Sequence, residues 1–258
     1  MIHKGFSLLE LSIVLVIIGL LAGGVMVGQE LMRQSELRGV ITDLDKASTA
    51  VNAFKSKYSA LPGDMKNAEL YWGTAGVSDA ACLIADSRTA SPYNATCNGN
   101  GNGIIANTAR SAEGYRFWQH LSAAGMYEGS FSGIRGSGTL GVSPDNSPAM
   151  KIAGAFWRIT NLGVVDLANL VFYPGNYNNT MQGGRIANDA SMDNDVPFLR
   201  AEEMYSIDIK RDDGQAASGI IVSRENRTQC ITSTDPTVAA YLLTSTQEGC
   251  VFIFRNAF

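Results

Sequence analysis

Histidine is the scarcest chemistry-bearing residue in this chain of 258: only His3 and His120 occur. A multi-histidine metal centre is thereby excluded, and a triad would have to be built on one of these two. Cysteine is sparse as well. Cys82, Cys97, Cys230 and Cys250 stand far apart, without the close C-x-x-C spacing of a structural zinc site. Charged residues make up only 17% of the chain, with 20 Lys and Arg against 24 Asp and Glu. That acidic balance, with no basic block, disfavours nucleic acid as a partner of the bulk of the chain. There is no nucleophile elbow and no phosphate-binding loop, so an enzyme is not expected. Proline is missing before Pro62, and long apolar runs are missing everywhere but one place.

That place is the N-terminus. From Phe6 to Val27 nearly every side chain is apolar, and Glu10 is the only charge. About twenty-two such residues at ~1.5 Å rise make a helix long enough to cross the hydrocarbon core of a bilayer. A conventional secretory signal does not fit, because Met1 to Gly5 is too short a charged region and no small-x-small cleavage site follows. Glu10 is the informative residue. A carboxylate at membrane depth costs about 3 kcal/mol on insertion scales, and a buried ammonium facing it would compensate both desolvation costs.

The run Lys4-Gly5-Phe6-Ser7-Leu8-Leu9-Glu10 resembles the class III leader of type IV prepilins and type II secretion pseudopilins. The resemblance implies a dedicated prepilin peptidase/methyltransferase that cuts after Gly5 and methylates the new N-terminal residue, Phe6. It implies that Glu10 pairs with the free amine of a neighbouring subunit's first residue during assembly. It further implies an α+β fold in which a long N-terminal helix, apolar then amphipathic, packs against a C-terminal antiparallel sheet. His3 and Lys4 would stay cytoplasmic by the positive-inside tendency, placing everything beyond Gly28 outside the bacterial inner membrane. Many type IVa pilins carry a helix-kinking proline in this segment, and this chain departs from them there.

Beyond Val27 the helical pattern continues. Leu37, Ile41, Leu44, Ala47, Val51, Phe54 and Tyr58 recur at spacings of three and four, one face of an amphipathic helix. Pro62 and Gly63 stop it near Ala60. The chain thus divides into a leader (1–5), a membrane or fibre-core helix (6–28), its amphipathic half (29–60) and a globular domain (61–258). Gly19, Gly23, Gly24 and Gly28 mark the weak point of the helix. They serve either close packing between membrane helices or, as in related pili, unwinding on entry into the fibre.

In the domain, Leu61-Pro62-Gly63-Asp64 reads as a turn, with Asp64 capping a short helix. Residues 82–97 form a polar loop. The four cysteines face an oxidising compartment and allow three pairings. Nearest-neighbour pairing, Cys82 with Cys97 and Cys230 with Cys250, closes two modest loops worth about 3 kcal/mol each. The run Asn98-Gly99-Asn100-Gly101-Asn102-Gly103 favours tight turns. It has the alternate spacing of a calcium loop, but its side chains are neutral amides and its twelfth position is Ala109. LPGD, a cysteine-bounded loop, the NGNG run and Trp118-Gln119-His120-Leu121 together resemble a group of prepilin-like proteins. A helix is expected from Ser111, which can cap it, to Met126, with His120 at its surface or boundary. Strands are expected over Met150–Thr160, Val164–Tyr173, Tyr205–Lys210, Gly219–Ser223 and Cys250–Arg255.

No cofactor is required on this reading. Calcium is the one candidate, because major pseudopilins hold it in a loop beside the C-terminal sheet. Asp189, Asp193 and Asp195 in a loop expected over residues 176–195, and Asp208, Asp212 and Asp213 in another over 208–214, are the candidate ligands, although Asp is also simply a good turn former. The function expected is a structural subunit polymerising with other pilin or pseudopilin subunits, as a homo- or hetero-polymer, into a type IV pilus or related fibre. A periplasmic type II secretion pseudopilus, or a monomeric membrane-anchored binding domain, are the alternatives.

Overall fold

The computed structural model describes residues 8–75, 95–105, 112–134, 142, 144–166, 168–169, 171–186, 196–224 and 227–258. Helix α1 runs unbroken from Leu8 to Tyr58, about 77 Å at 1.5 Å per residue. Its glycines do not interrupt it. A Cβ added at Gly19, Gly23, Gly24 or Gly28 would meet nothing within 4 Å, so in the single subunit none of the described residues packs on this face. Helix α1 stops where Ser59 takes a left-handed conformation (φ 52°), three residues before Pro62.

The two halves of α1 differ in what they touch. Leu37, Val40, Asp43, Leu44, Ala47, Ala50, Val51 and Phe54 are buried, a stripe at three- and four-residue steps that lies against the domain. Ile41 and Tyr58 flank it, half-buried. Burying the larger of these side chains contributes about 1.5–3 kcal/mol each.

The stripe faces a four-stranded antiparallel sheet of β1 (Ala155–Thr160), β4 (Thr180–Arg185), β8 (Phe252–Phe254) and β6 (Ile221–Val222), in the order β1-β4-β8-β6. Register places Trp157, Gly183 and Phe252 in one row and Ile159, Met181, Phe254 and Ile221 in the next. These rows form the face that joins the α1 core. On the opposite face Val222 and Ile253 pack with Val165 and Tyr177, next to the small hairpin of β2 (Val164–Val165) and β3 (Gly175–Asn176). Trp157 Nε1–H donates to the buried Asp43 carboxylate at 3.4 Å, tying β1 to α1.

Three expected elements need correction. Tyr205–Lys210 is not a strand but part of helix α4 (Ala201–Arg211). The alternation of Tyr205, Ile207 and Ile209 imitates a strand, yet the residues that bury are Ala201, Glu203, Met204, Ile207 and Asp208, at helical spacing, while Ile209 is exposed. A reciprocal capping box between Arg200 and Glu203 starts the helix. Val164–Tyr173 contributes only the two residues of β2. Conversely, the loop expected over residues 176–195 contains β4, the central strand that bonds both β1 and β8. Its Gly183 admits the Trp157 ring and Met150: a Cβ there would lie 3.2 Å from the indole and 2.9 Å from the Met150 sulfur.

Among the described residues the domain has two further helices, α2 (Glu69–Trp72) and α3 (Ala112–Ala123). Gly125 ends α3 in a left-handed turn (φ 69°). The Met126 amide reaches back to Leu121 and the Gly125 amide to Ser122, both at 2.9 Å, a Schellman closure. Strands β5 (Leu199–Arg200) and β7 (Glu248–Cys250) pair beside the sheet. Ser111, expected to cap α3, lies outside the described residues.

Candidate functional site: the exposed helix and the unit that carries it

Every residue of α1 from Leu8 to Val27 is exposed. Leu8 is 88% accessible, Leu20 72% and Met26 71%, although the most apolar eighteen-residue window has a mean hydropathy of 2.6. Twenty residues of helix span ~30 Å, the thickness of a hydrocarbon core. Such a surface is stable only when covered, by lipid or by other protein. Glu10 sits in the first turn of this segment as its single acid. Gly5 and Phe6, the expected processing residues, lie outside the described residues.

Where the helix enters the domain, Arg33 fixes it. Its Nε donates to Glu203 Oε1 at 2.6 Å and its Nη2 to Glu203 Oε2 at 2.8 Å, with a further bond to the Phe198 carbonyl at 3.1 Å. The Arg200 amide and guanidinium donate to the same carboxylate at 2.8 and 3.2 Å. Burial alone would raise the Glu203 pKa; the Arg33 hydrogen bonds, the Arg200 amide and both guanidinium charges hold it below the ordinary range. A little over three turns along α1, Asp45 pairs with Arg211 at the end of α4 at 2.7 Å. Thus α4 clamps the helix at two points.

The far end of α1 is held by three short motifs that converge. Gly63 N–H donates to His120 Nδ1 at 2.9 Å. Asp64 does not cap a helix as expected; α2 begins after Ala68 without a side-chain cap. Instead its buried carboxylate accepts the amides of Gly101 (2.6 Å), Asn102 (3.1 Å) and Gly103 (2.8 Å). Successive amides concentrated on one anion form a nest, and the left-handed Gly101 and Gly103 (φ 66° and 83°) make it. Asn100 and Asn102 close Asx turns onto the Asn102 and Ile104 amides at 3.0 and 2.8 Å. The NGNG run is therefore a set of turns wrapped around Asp64, which already supplies it with an anion.

His120 is fully buried, a correction to its expected surface or boundary position. Its Nδ1 accepts from Gly63, so the proton sits on Nε2, which donates to Thr96 Oγ1 at 2.8 Å; Thr96 in turn donates to Gln119 Oε1 at 2.9 Å. Burial, and then the Arg116 charge, push its pKa down to about 3. The imidazole is a neutral structural link between LPGD, the residue before Cys97, and α3.

Of the acids proposed as calcium ligands, Asp208, Asp212 and Asp213 do meet: one oxygen from each lies within 4.8 Å of the others. Asp189, Asp193 and Asp195 lie outside the described residues. The gathered oxygens already hold a turn. Asp208 accepts from Tyr241 OH at 2.6 Å and the Gly214 amide at 3.1 Å. Asp212 accepts from the Ile220 and Ile221 amides, and Asp213 from the Gln215 amide and the Ser218 hydroxyl. Burial first, then the Asp213 and Asp212 charges, raise the Asp208 pKa to about 7 against the pull of its hydrogen bonds. Hard-cation chemistry fits these ligand atoms, and three carboxylates would supply part of the six to eight oxygens that calcium takes. Cys230 and Cys250 are joined, with Cα atoms 5.0 Å apart. Cys97 is also disulfide-bonded; Cys82, its expected partner, lies outside the described residues.

Comparison with known families finds one match, to the prokaryotic N-terminal methylation motif, over residues 1–26. No curated protein and no solved structure matches the chain. The match covers the leader and most of the exposed apolar helix, and the chain carries a type IV prepilin-like class III leader.

Proposed function

We propose that this chain is a structural subunit, cleaved after Gly5, methylated on Phe6 and polymerised through α1 into a type IV pilus or related fibre. The observation that carries the reading is the coupling of a methylation motif at residues 1–26 to twenty helical residues left wholly exposed by the fold. Before assembly the bilayer covers them, with the domain on the periplasmic side. After assembly the same residues of neighbouring copies cover one another. The leader (1–5), the fibre-core helix (6–28), the spine (29–60) and the domain (61–258) then have separate tasks.

In this account Glu10 sets the register by receiving the amine of a neighbour's Phe6. An apolar contact between helices slides freely, whereas a carboxylate and an ammonium buried together fix one position. A type II secretion pseudopilus uses the same helix-first plan and is the alternative assembly. The test is Glu10→Ala, with cleavage and assembly scored separately in cells. The variant should be processed normally yet be depleted at least tenfold from sheared fibres. Wild-type incorporation would remove the role given to Glu10.

A further inference from the structure

At the end of α1 remote from the membrane segment, a cleft of about 580 Å³ opens between the last helical turn and the loop of residues 98–105. Lys55 lines it from the helix and Lys66 from the loop that follows, with Tyr58, Ser59 and Asn67 between them. Both lysines are exposed, and neither is in an ion pair among the described residues. Among the described residues Asp64 is the only acid in the lining, and its two oxygens are occupied by the three amides of the nest.

Lys55 alone would be accounted for as a cation offsetting the carbonyl end of α1. Lys66 is not on that helix. Its alkyl stem lies across Gly101, where any Cβ would overlap it, so the loop is shaped to hold this side chain along the cleft. Tyr58 brings an aromatic ring into the lining, with Lys57 Nζ 5.0 Å from its centroid. Tyr71, 55% accessible, stands edge-on to Tyr58 at 5.1 Å, and Trp72 does so at 5.5 Å.

We propose that this cleft binds a single carboxylated pyranose, the acidic terminal sugar of a glycan. Two lysines from separate elements would take the carboxylate, the Ser59 hydroxyl and Asn67 amide the ring hydroxyls, and the Tyr58 ring the apolar sugar face. A pocket of this size suits one or two sugar rings. Nucleic acid is the poorer fit, since its binding needs a track of cations along the backbone and this chain is net acidic.

The test is titration of the full-length chain in detergent with cellobiouronic acid, and with cellobiose as the neutral counterpart, followed by chemical shifts or calorimetry. The acid should bind at least tenfold more tightly than the neutral sugar. Lys66→Gln should weaken it about tenfold, and Lys55→Gln with Lys66→Gln should abolish it, with unchanged melting temperatures. Equal binding of both sugars, no binding of the acid, or insensitivity to the lysine changes would each overturn the proposal. Tighter binding of a single-stranded hexanucleotide than of the acidic sugar would overturn it too.

Discussion

Arg33 and Glu203 meet through two parallel hydrogen bonds, 2.6 and 2.8 Å, at the level where α1 leaves the domain. The Glu203 side chain is only 3% exposed and the Arg33 side chain 22%. This pair decides how the exposed half of the helix is aimed. Removing Arg33 leaves a buried carboxylate with only the Arg200 groups beside it, so Arg33→Ala should cost about 2 kcal/mol. Thermal melts of the full chain in mild detergent would measure it. Arg33→Lys should recover less than half, because an ammonium cannot make the two-pronged contact.

The nest around Asp64 makes a second prediction. Asp64→Ala strands three loop amides at once and should cost about 3 kcal/mol. Asp64→Asn keeps one acceptor oxygen and should cost roughly half as much. Hydrogen exchange of the Gly101, Asn102 and Gly103 amides provides the local readout: they should lose protection in both variants while the sheet amides keep theirs.

His120 gives the pH dependence. Its folded pKa of about 3 lies below its ordinary 6.5, so its contribution to stability is complete above about 6.5 and is lost progressively as pH falls from there towards 3. Glu203 works in the same direction, but only below the ordinary carboxylate range, since its pKa is depressed as well. Asp208 works the other way, since its pKa raised to about 7 adds stability as pH falls from there. The loss due to His120 is therefore read by difference, and His120→Gln should remove it between pH 6.5 and 4.5 at a cost in absolute stability. An unchanged profile in His120→Gln would contradict the buried neutral imidazole.

Calcium at Asp208, Asp212 and Asp213 stands as a proposal with a bounded strength. With their oxygens already committed to the 212–221 turn, affinity should be no tighter than about 10⁻⁴ M, the range of weak extracellular modules. Millimolar calcium should raise the melting temperature by a few degrees, and Asp213→Asn should cancel the rise. No rise at all would dispose of calcium here, and micromolar affinity would contradict the turn-latch reading.

Helix α1 was legible because its pattern extends over fifty residues, far longer than any competing signal. The short elements were not. The isoleucines and tyrosine of α4 alternate as a strand does, and what outweighs them is a cap and a buried face visible only in three dimensions. Strand β4 carries Gly183 and Gly184, poor strand formers, and at Gly183 the Trp157 ring takes the space. LPGD, NGNG and WQHL could be recognised as motifs, yet their union rests on bonds spanning 37 to 57 residues. A solitary buried histidine leaves no trace in local pattern. The gathering of three acids was foreseeable, but not that hydrogen bonds would already engage them.

The central claim is best tested by intact and N-terminal mass spectrometry of material sheared from producing cells, with the membrane fraction run beside it. The account predicts a chain that begins at N-methylated Phe6 in the sheared fibres. The same mature chain confined to membranes would favour the pseudopilus, and an uncut chain beginning at Met1 in both fractions would contradict the account.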